Sequence, residues 1–119
     1  MTGLVGYATY LPRYRLAAGD IGLRRGDRVV AAFDEDTTTM AVAACADVPG
    51  VRAAAALYFA TSTPAYADKT NATVIHAAPG LPADCLAVVF CGSGGFAALV
   101  AAASGDGLAV SAGVRVGRP

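Results

Sequence analysis

Leu86-Ala87-Val88-Val89-Phe90-Cys91-Gly92-Ser93-Gly94-Gly95-Phe96-Ala97-Ala98-Leu99-Val100-Ala101-Ala102-Ala103 decides how the chain is read. Its first five residues are apolar and β-prone, enough for a short strand. Its last eight are rich in alanine and leucine and favour helix. The glycines between them suit neither element and suit a tight turn. No residue from Cys85 to Gly105 is charged, and the run is long enough to cross a bilayer. Glycines at its centre would weaken a spanning helix where it must be strongest. A buried strand, a turn and a buried helix account for it better, and no membrane span is expected.

The same punctuation recurs on either side. Downstream, Ser104-Gly105-Asp106-Gly107 reads as a turn and Leu108 to Ala112 as a last strand. Upstream, Ala54 to Thr61 is an apolar run of strand length. A loop containing Pro64 follows it. A helix is expected from Lys69 to about Ala78, capped by Asp68 and ended by Pro79-Gly80. Asp34-Glu35-Asp36 stands before a helix over Thr37–Cys45. Acidic groups there complement the positive end of the helix dipole, and Asp36 or Thr37 can cap it. Leu4 to Tyr10 reads as a first strand, and Tyr14 to Arg28 as a short helix and loop. The order β, α, β, α, β, α, β predicts an α/β fold. One domain over residues 1–119 would hold a mainly parallel or mixed sheet with helices on both faces.

Composition narrows the partners. The 119 residues carry nine basic and nine acidic side chains, are 55% hydrophobic and only 15% charged. A typical domain is about 25% charged, so part of this surface expects a partner. No basic excess is present to hold phosphate backbone, and nucleic acid is not expected. The three cysteines, Cys45, Cys85 and Cys91, are odd in number and lack CxxC spacing. That argues against a disulfide framework or a zinc site and fits a reducing cytoplasm. No secretory signal opens the chain. A P-loop needs lysine after its last glycine, where Phe96 stands. The GxGxxG spacing is absent, and a GxSxG elbow needs glycine where Cys91 stands.

Gly6-Tyr7-Ala8-Thr9-Tyr10-Leu11-Pro12-Arg13-Tyr14-Arg15-Leu16 resembles the opening of thiolase-fold condensing enzymes. The branch is that of hydroxymethylglutaryl-CoA synthase and 3-oxoacyl-acyl-carrier-protein synthase III. Asp34 through Ala41 is similar to that branch's first long helix. Phe59-Ala60-Thr61-Ser62-Thr63-Pro64-Ala65-Tyr66-Ala67-Asp68-Lys69-Thr70-Asn71-Ala72 looks like its strand, active-site loop and next helix. Leu108 through Pro119 resembles the strand and DVRxG stretch beyond the nucleophile helix, with Gly113 where relatives often have aspartate. The resemblance covers the family's first portion. It implies a thiolase-like βαβαβαβ half-domain whose second half is not in these residues. It also implies dimers formed through the first half.

The resemblance further implies a chemistry. A cysteine at a strand-to-helix turn takes an acyl group from a CoA or acyl-carrier-protein thioester, and a second acyl donor then forms a carbon–carbon bond. A helix N-terminus there favours the thiolate, and backbone amides can hold an oxyanion. Cys91 lies at such a turn and is the candidate catalytic nucleophile. Aligning on Ala97-Ala98-Leu99 puts the nucleophile position at Gly92, and aligning on Gly95-Phe96 puts it at Ser93. The alternative for Cys91 is a small buried cysteine at the end of a strand. Cys45 and Cys85 are assigned to packing.

Ser62 stands where hydroxymethylglutaryl-CoA synthases carry a catalytic glutamate, and serine needs a base to move a proton. A decarboxylating or Claisen-type condensation is less affected by that change. His76, within the second expected helix, is assigned to a helix face. Arg13, Arg15, Lys69 and Arg115 are candidates for CoA phosphates or plain surface cations. No cofactor is expected beyond the CoA or acyl-carrier thioester as substrate. The chain alone should be inactive, as part of a condensing acyltransferase. The alternative is a non-catalytic partner or remnant that packs on another thiolase-like chain or on itself.

Overall fold

A computed structural model describes residues 2–22, 24–92 and 94–115. The core is a three-stranded parallel sheet. Its strands are β3 (Ala56–Thr61), β4 (Leu86–Cys91) and β5 (Gly107–Ser111), in the order β4-β3-β5. Helices α1 (Thr37–Ala46), α2 (Asn71–Ala77) and α3 (Gly95–Ala102) alternate with them. The register pairs Ala56 with Leu86 and Gly107, and runs without a break to Thr61 opposite Cys91. The β3-to-β5 part of the chain is therefore the α/β fold the sequence predicts.

Strand alternation sorts the side chains onto two faces. Leu57 and Phe59 of the central strand, with Val110 of β5, turn towards α1 and α2. There they pack on Ala41, Cys45, Ala72 and Ile75. Leu57, Phe59 and Ile75 are wholly buried, each stabilising the fold by roughly 1.5–3 kcal/mol through lost apolar exposure. Tyr58 and Phe90 lie on the other face, with ring centroids 6.2 Å apart. Helix α3 covers that face through the small residues Ala98 and Ala102, both buried. The approach is close enough to require glycine beneath it. A Cβ on Gly107 would fall 2.5 Å from the Cα of Ala102.

Asp36 caps α1. Its side chain accepts from the Thr39 amide at 2.8 Å, while the Thr39 hydroxyl accepts from the Asp36 amide at 2.8 Å. This reciprocal box fixes the helix start, and Glu35 is left for another contact. Helix α2 starts later than expected. It begins at Asn71 after Thr70, so Asp68 and Lys69 belong to the preceding loop. Asn71 draws that loop onto the helix, as its hydrogen bonds show below.

The N-terminal third departs from the expectation. Leu4–Tyr10 joins no sheet, and the antiparallel pair β1 (Tyr14–Ala17) and β2 (Asp27–Val30) occupies the region expected to be helix and loop. Among the described residues there, one 3-10 turn, Ala18–Ile21, is helical. A β-prone sequence needs a pleated partner to become a strand. Leu4, Val5 and Tyr7 have none among the described residues and are exposed. Tyr14–Ala17 finds one in Asp27–Val30.

The molecule exposes much surface for its mass. Its accessible area is 7906 Å², whereas a compact monomer of 11.8 kDa exposes about 5,900 Å². Part of the excess is apolar, since Phe96, Leu99 and Val100 of α3 lie bare. No helix among the described residues is long and apolar enough to cross a membrane.

Candidate active site

In an open parallel sheet, ligand chemistry gathers beyond the carboxyl ends of the strands. Here those ends bring together Thr61 of β3, Cys91 of β4 and Ser111 of β5. Cys91 is the last residue of β4, unpaired as a thiol and exposed. The bend begins at once after it. Gly92 has φ +81° and donates its amide to the Thr61 carbonyl at 3.1 Å. A side chain at Gly92 would strain that left-handed backbone. Helix α3 then starts at Gly95. Ser93, the alternative nucleophile position, lies outside the described residues.

Cys91 is exposed among the described residues, where the packing reading expects it buried. Alternation places it on the same sheet face as Ala87 and Val89, which pack on the core beneath α1 and α2. Helix α3 covers the opposite face. Cys45 and Cys85 are buried, as expected of packing cysteines. Burial pushes the Cys45 thiol up to about 11, and burial with the nearby Asp84 charge raises that of Cys85. Both are poor nucleophiles on that account.

The loop after β3 is held by buried polar groups that the sequence did not mark. Asn71 accepts from the Thr38 hydroxyl at 3.2 Å and from the Tyr66 amide at 3.0 Å. Its own amide donates to the Tyr66 carbonyl at 3.0 Å. The Thr37 hydroxyl donates to the Thr63 carbonyl at 2.8 Å, and the Val114 amide donates to the Thr63 hydroxyl at 3.1 Å. Loop, helix and the segment beyond β5 are thus clamped around Ser62, which is exposed beside Thr61. The signal was present as a run of threonines at one helix start and an asparagine at another. Each type favours helix ends for local reasons, and only the fold shows that they meet.

Glu35 is committed to contacts of its own. Glu35 accepts from the Tyr10 hydroxyl and from the Ala32 amide, the latter at 2.8 Å. The Tyr10 hydrogen bond, then that of Ala32, holds the Glu35 carboxyl below the usual range. It fastens the N-terminal segment to the loop before α1. His76 is half-buried in α2, and its ring nitrogen Nε2 lies 3.0 Å from the Pro82 carbonyl. It serves the helix face, as expected. The basic candidates are dispersed. Arg13 lies over the Tyr14 ring at 5.1 Å and Lys69 over the Tyr66 ring at 3.9 Å. Arg15 donates to the Tyr14 carbonyl at 3.0 Å, and Arg115 is exposed past β5. Among the described residues no His, Cys, Asp or Glu cluster could hold a metal.

The backbone matches known structures over most of its length. The β-ketoacyl-[acyl carrier protein] synthase III (FabH) of Thermus thermophilus superposes with a TM-score of 0.82 and 25% identity, covering 94% of this chain and 43% of that one. The fold is that of the thiolase-type condensing enzymes. Two further structures share the fold at a TM-score of 0.67 and 23% identity. They are a 3-oxoacyl-(acyl-carrier protein) synthase of Burkholderia xenovorans and the FabH of Pseudomonas aeruginosa, of which this chain spans 37% and 35%. A hydroxymethylglutaryl-CoA synthase of Methanopyrus kandleri is 33% identical over 100 residues, covering 69% of this chain and 29% of that enzyme. No family model matches. The sequence resemblance to thiolase-fold condensing enzymes is thus matched by relatives and by fold. The chain spans less than half the length of each.

Proposed function

We propose that this thiolase-type chain is the N-terminal portion of a condensing acyltransferase. With a complementary second half it takes an acyl group from a CoA or acyl-carrier-protein thioester onto Cys91. The observation that carries the reading is the exposed thiol of Cys91, at the carboxyl end of a parallel sheet, one residue before a glycine bend into a helix. A thioester can reach it there, and glycine lets the acyl carbonyl come close to the backbone. The thiolate attacks the carbonyl carbon, the carbon–sulfur bond of the donor breaks, and the free carrier thiol leaves. Ser62 in place of a carboxylate fits a decarboxylating or Claisen-type second step better than an aldol-type one. Free thiols fit a reducing cytoplasm. The bare face of α3 fits assembly with a second copy or another thiolase-like chain.

A second reading has its own support. Cys91 shares its sheet face with α1 and α2 and not with α3, so the N-terminus of the helix that follows it lies across the sheet from the thiol. A non-catalytic partner, acting through contacts alone, needs no such group. Incubation with radiolabelled acetyl-CoA, followed by peptide mapping, separates the two. Label on Cys91 that Cys91→Ala abolishes supports acyl transfer. A folded chain that takes no label, alone or with a second thiolase-type half, supports the partner reading. Sustained condensation by the chain alone would overturn its dependence on a second half.

A further inference from the structure

Cys91 has a polar neighbour across the ladder. Thr61 ends β3 directly opposite it in the parallel register. Strands so paired lie about 4.8 Å apart, and paired residues send their side chains to the same face. Here that face is the one α1 and α2 cover. Thr61 follows Leu57 and Phe59 by steps of two, and Cys91 follows Ala87 and Val89 in the same way. Thr61 is 3% exposed, whereas Cys91 is exposed. The hydroxyl is thus shielded from water and the thiol is open to it.

Thr61 is also held firmly. Its hydroxyl accepts from the Thr63 amide at 3.1 Å, and its carbonyl accepts from the Gly92 amide at 3.1 Å. One residue therefore fastens both the Ser62 turn and the bend after Cys91. A hydroxyl that accepts one bond keeps a proton to donate. The side chain beside it across the ladder is Cys91. Of the charged residues leading into α1 and α2, Glu35 bonds Tyr10, Asp36 caps α1 and Lys69 lies on the Tyr66 ring. Asp34 and Asp68 are exposed.

We propose that the Thr61 hydroxyl donates to the Cys91 sulfur and stabilises the thiolate on the face of the sheet away from α3. This deepens the reading of Cys91 as the acyl acceptor and rests on it. The donor holds the nucleophile ionised and aimed before a thioester arrives.

Alkylation by iodoacetamide tests the contact without a thioester. Absence of acyl transfer would refute the proposed function and leave this contact standing. Thr61→Val keeps the branched shape and removes the hydroxyl. Loss of the charge-assisted bond should leave about tenfold less Cys91 thiolate at pH 7. Each remaining thiolate is about threefold more reactive, because nucleophilicity rises with basicity. Cys91 labelling should then slow about threefold at pH 7 and run about twofold faster at pH 10, where ionisation limits it little. Thr61→Ser, which keeps the hydroxyl, should follow the unaltered chain at both. Buried Cys45, unlabelled at pH 7, reports the intact fold. Loosened packing would quicken Cys91 at both pH values, and occlusion would slow it at both. Either result overturns the inference, as do unchanged rates or a Thr61→Ser that behaves like Thr61→Val. Where Thr61→Val lets reagent reach Cys45, NMR of the unaltered chain decides. Its Thr61 methyl resonance should move between pH 7 and 10 and stay still in Cys91→Ala. A methyl indifferent to pH overturns the inference.

Discussion

The three thiols differ enough in environment to be told apart by one reagent. Consider alkylation by iodoacetamide at pH 8, with each cysteine followed by mass spectrometry. A free thiol with pKa about 8.5 is then about one-quarter thiolate. Cys45, pushed up to about 11 by burial, is about 0.1% thiolate by the same relation, some 240-fold less. Its sulfur is also shut from solvent beneath β3 and α1, since only 1% of the residue is accessible. Cys91, at the open end of β4, should label within minutes while Cys45 stays untouched. Raising the pH to 9 and 10 should quicken Cys45 about tenfold per unit if reaction proceeds through the folded state. The same shift acts on stability. The folded state keeps the Cys45 proton longer than the unfolded chain does. Its contribution is complete below about pH 8.5 and is lost as pH rises towards about 11. Denaturant midpoints should fall across that window, and a Cys45→Ser variant should lack this part of the fall. Equal labelling of Cys45 and Cys91 at pH 8 would refute the packing described here and the selective exposure of Cys91.

Gly107→Ala forces a Cβ to within 2.5 Å of the Ala102 backbone, where about 3.5 Å is the comfortable separation. Helix α3 must move off the sheet by roughly 1 Å, at about 1–3 kcal/mol. A chain of this length has an unfolding entropy near 0.25 kcal/mol/K, so the melting temperature should drop by about 4–12 °C. Calorimetry showing no change would mean that α3 is not seated on β5. Asp36→Ala removes the acceptor of the capping box and should cost about 1 kcal/mol in urea unfolding, while Asp36→Asn keeps most of it. Asn71→Ala strips the Tyr66 loop of both its anchors. It should raise proteolytic cleavage between Ser62 and Lys69 more than it lowers the melting temperature, whereas loss of global stability alone would point to a packing role.

The readable part of the chain is the part whose elements have a buried face. Leu57 and Phe59 alternate with Tyr58 in a run that only a strand explains, and Gly92 to Gly94 mark a bend that only a strand and a helix need. The hairpin was illegible for the opposite reason. Its four-residue strands Tyr14–Ala17 and Asp27–Val30 bury almost nothing, so no period appears in the sequence. Leu4–Tyr10 misleads because its composition records a strand for which the described residues hold no partner. At the candidate site, Cys91 stood out in the sequence because a thiol before a glycine turn is chemically conspicuous, and it is exposed at the end of β4. The Asn71 and Thr38 contact was missed because it joins residues 33 positions apart.

These two kinds of error have a common physical origin. A sequence reports what each segment is suited to bury, and a structure reports what it has found to bury it against. Where the two agree, as for β3 and α1, the core is settled within these residues. Where they differ, as for Leu4–Tyr10, the outer edge of β5 and the bare side of α3, the chain carries surface suited to contacts that the described residues do not supply. All three flank the sheet, and the strand ends that carry Cys91 and Ser62 belong to that same sheet. Under the proposed function, assembly and chemistry are open to a joint test. A partner that binds without sheltering Cys91 from solvent would support contact alone, whereas one that slows Cys91 alkylation and raises acyl transfer would tie the two together.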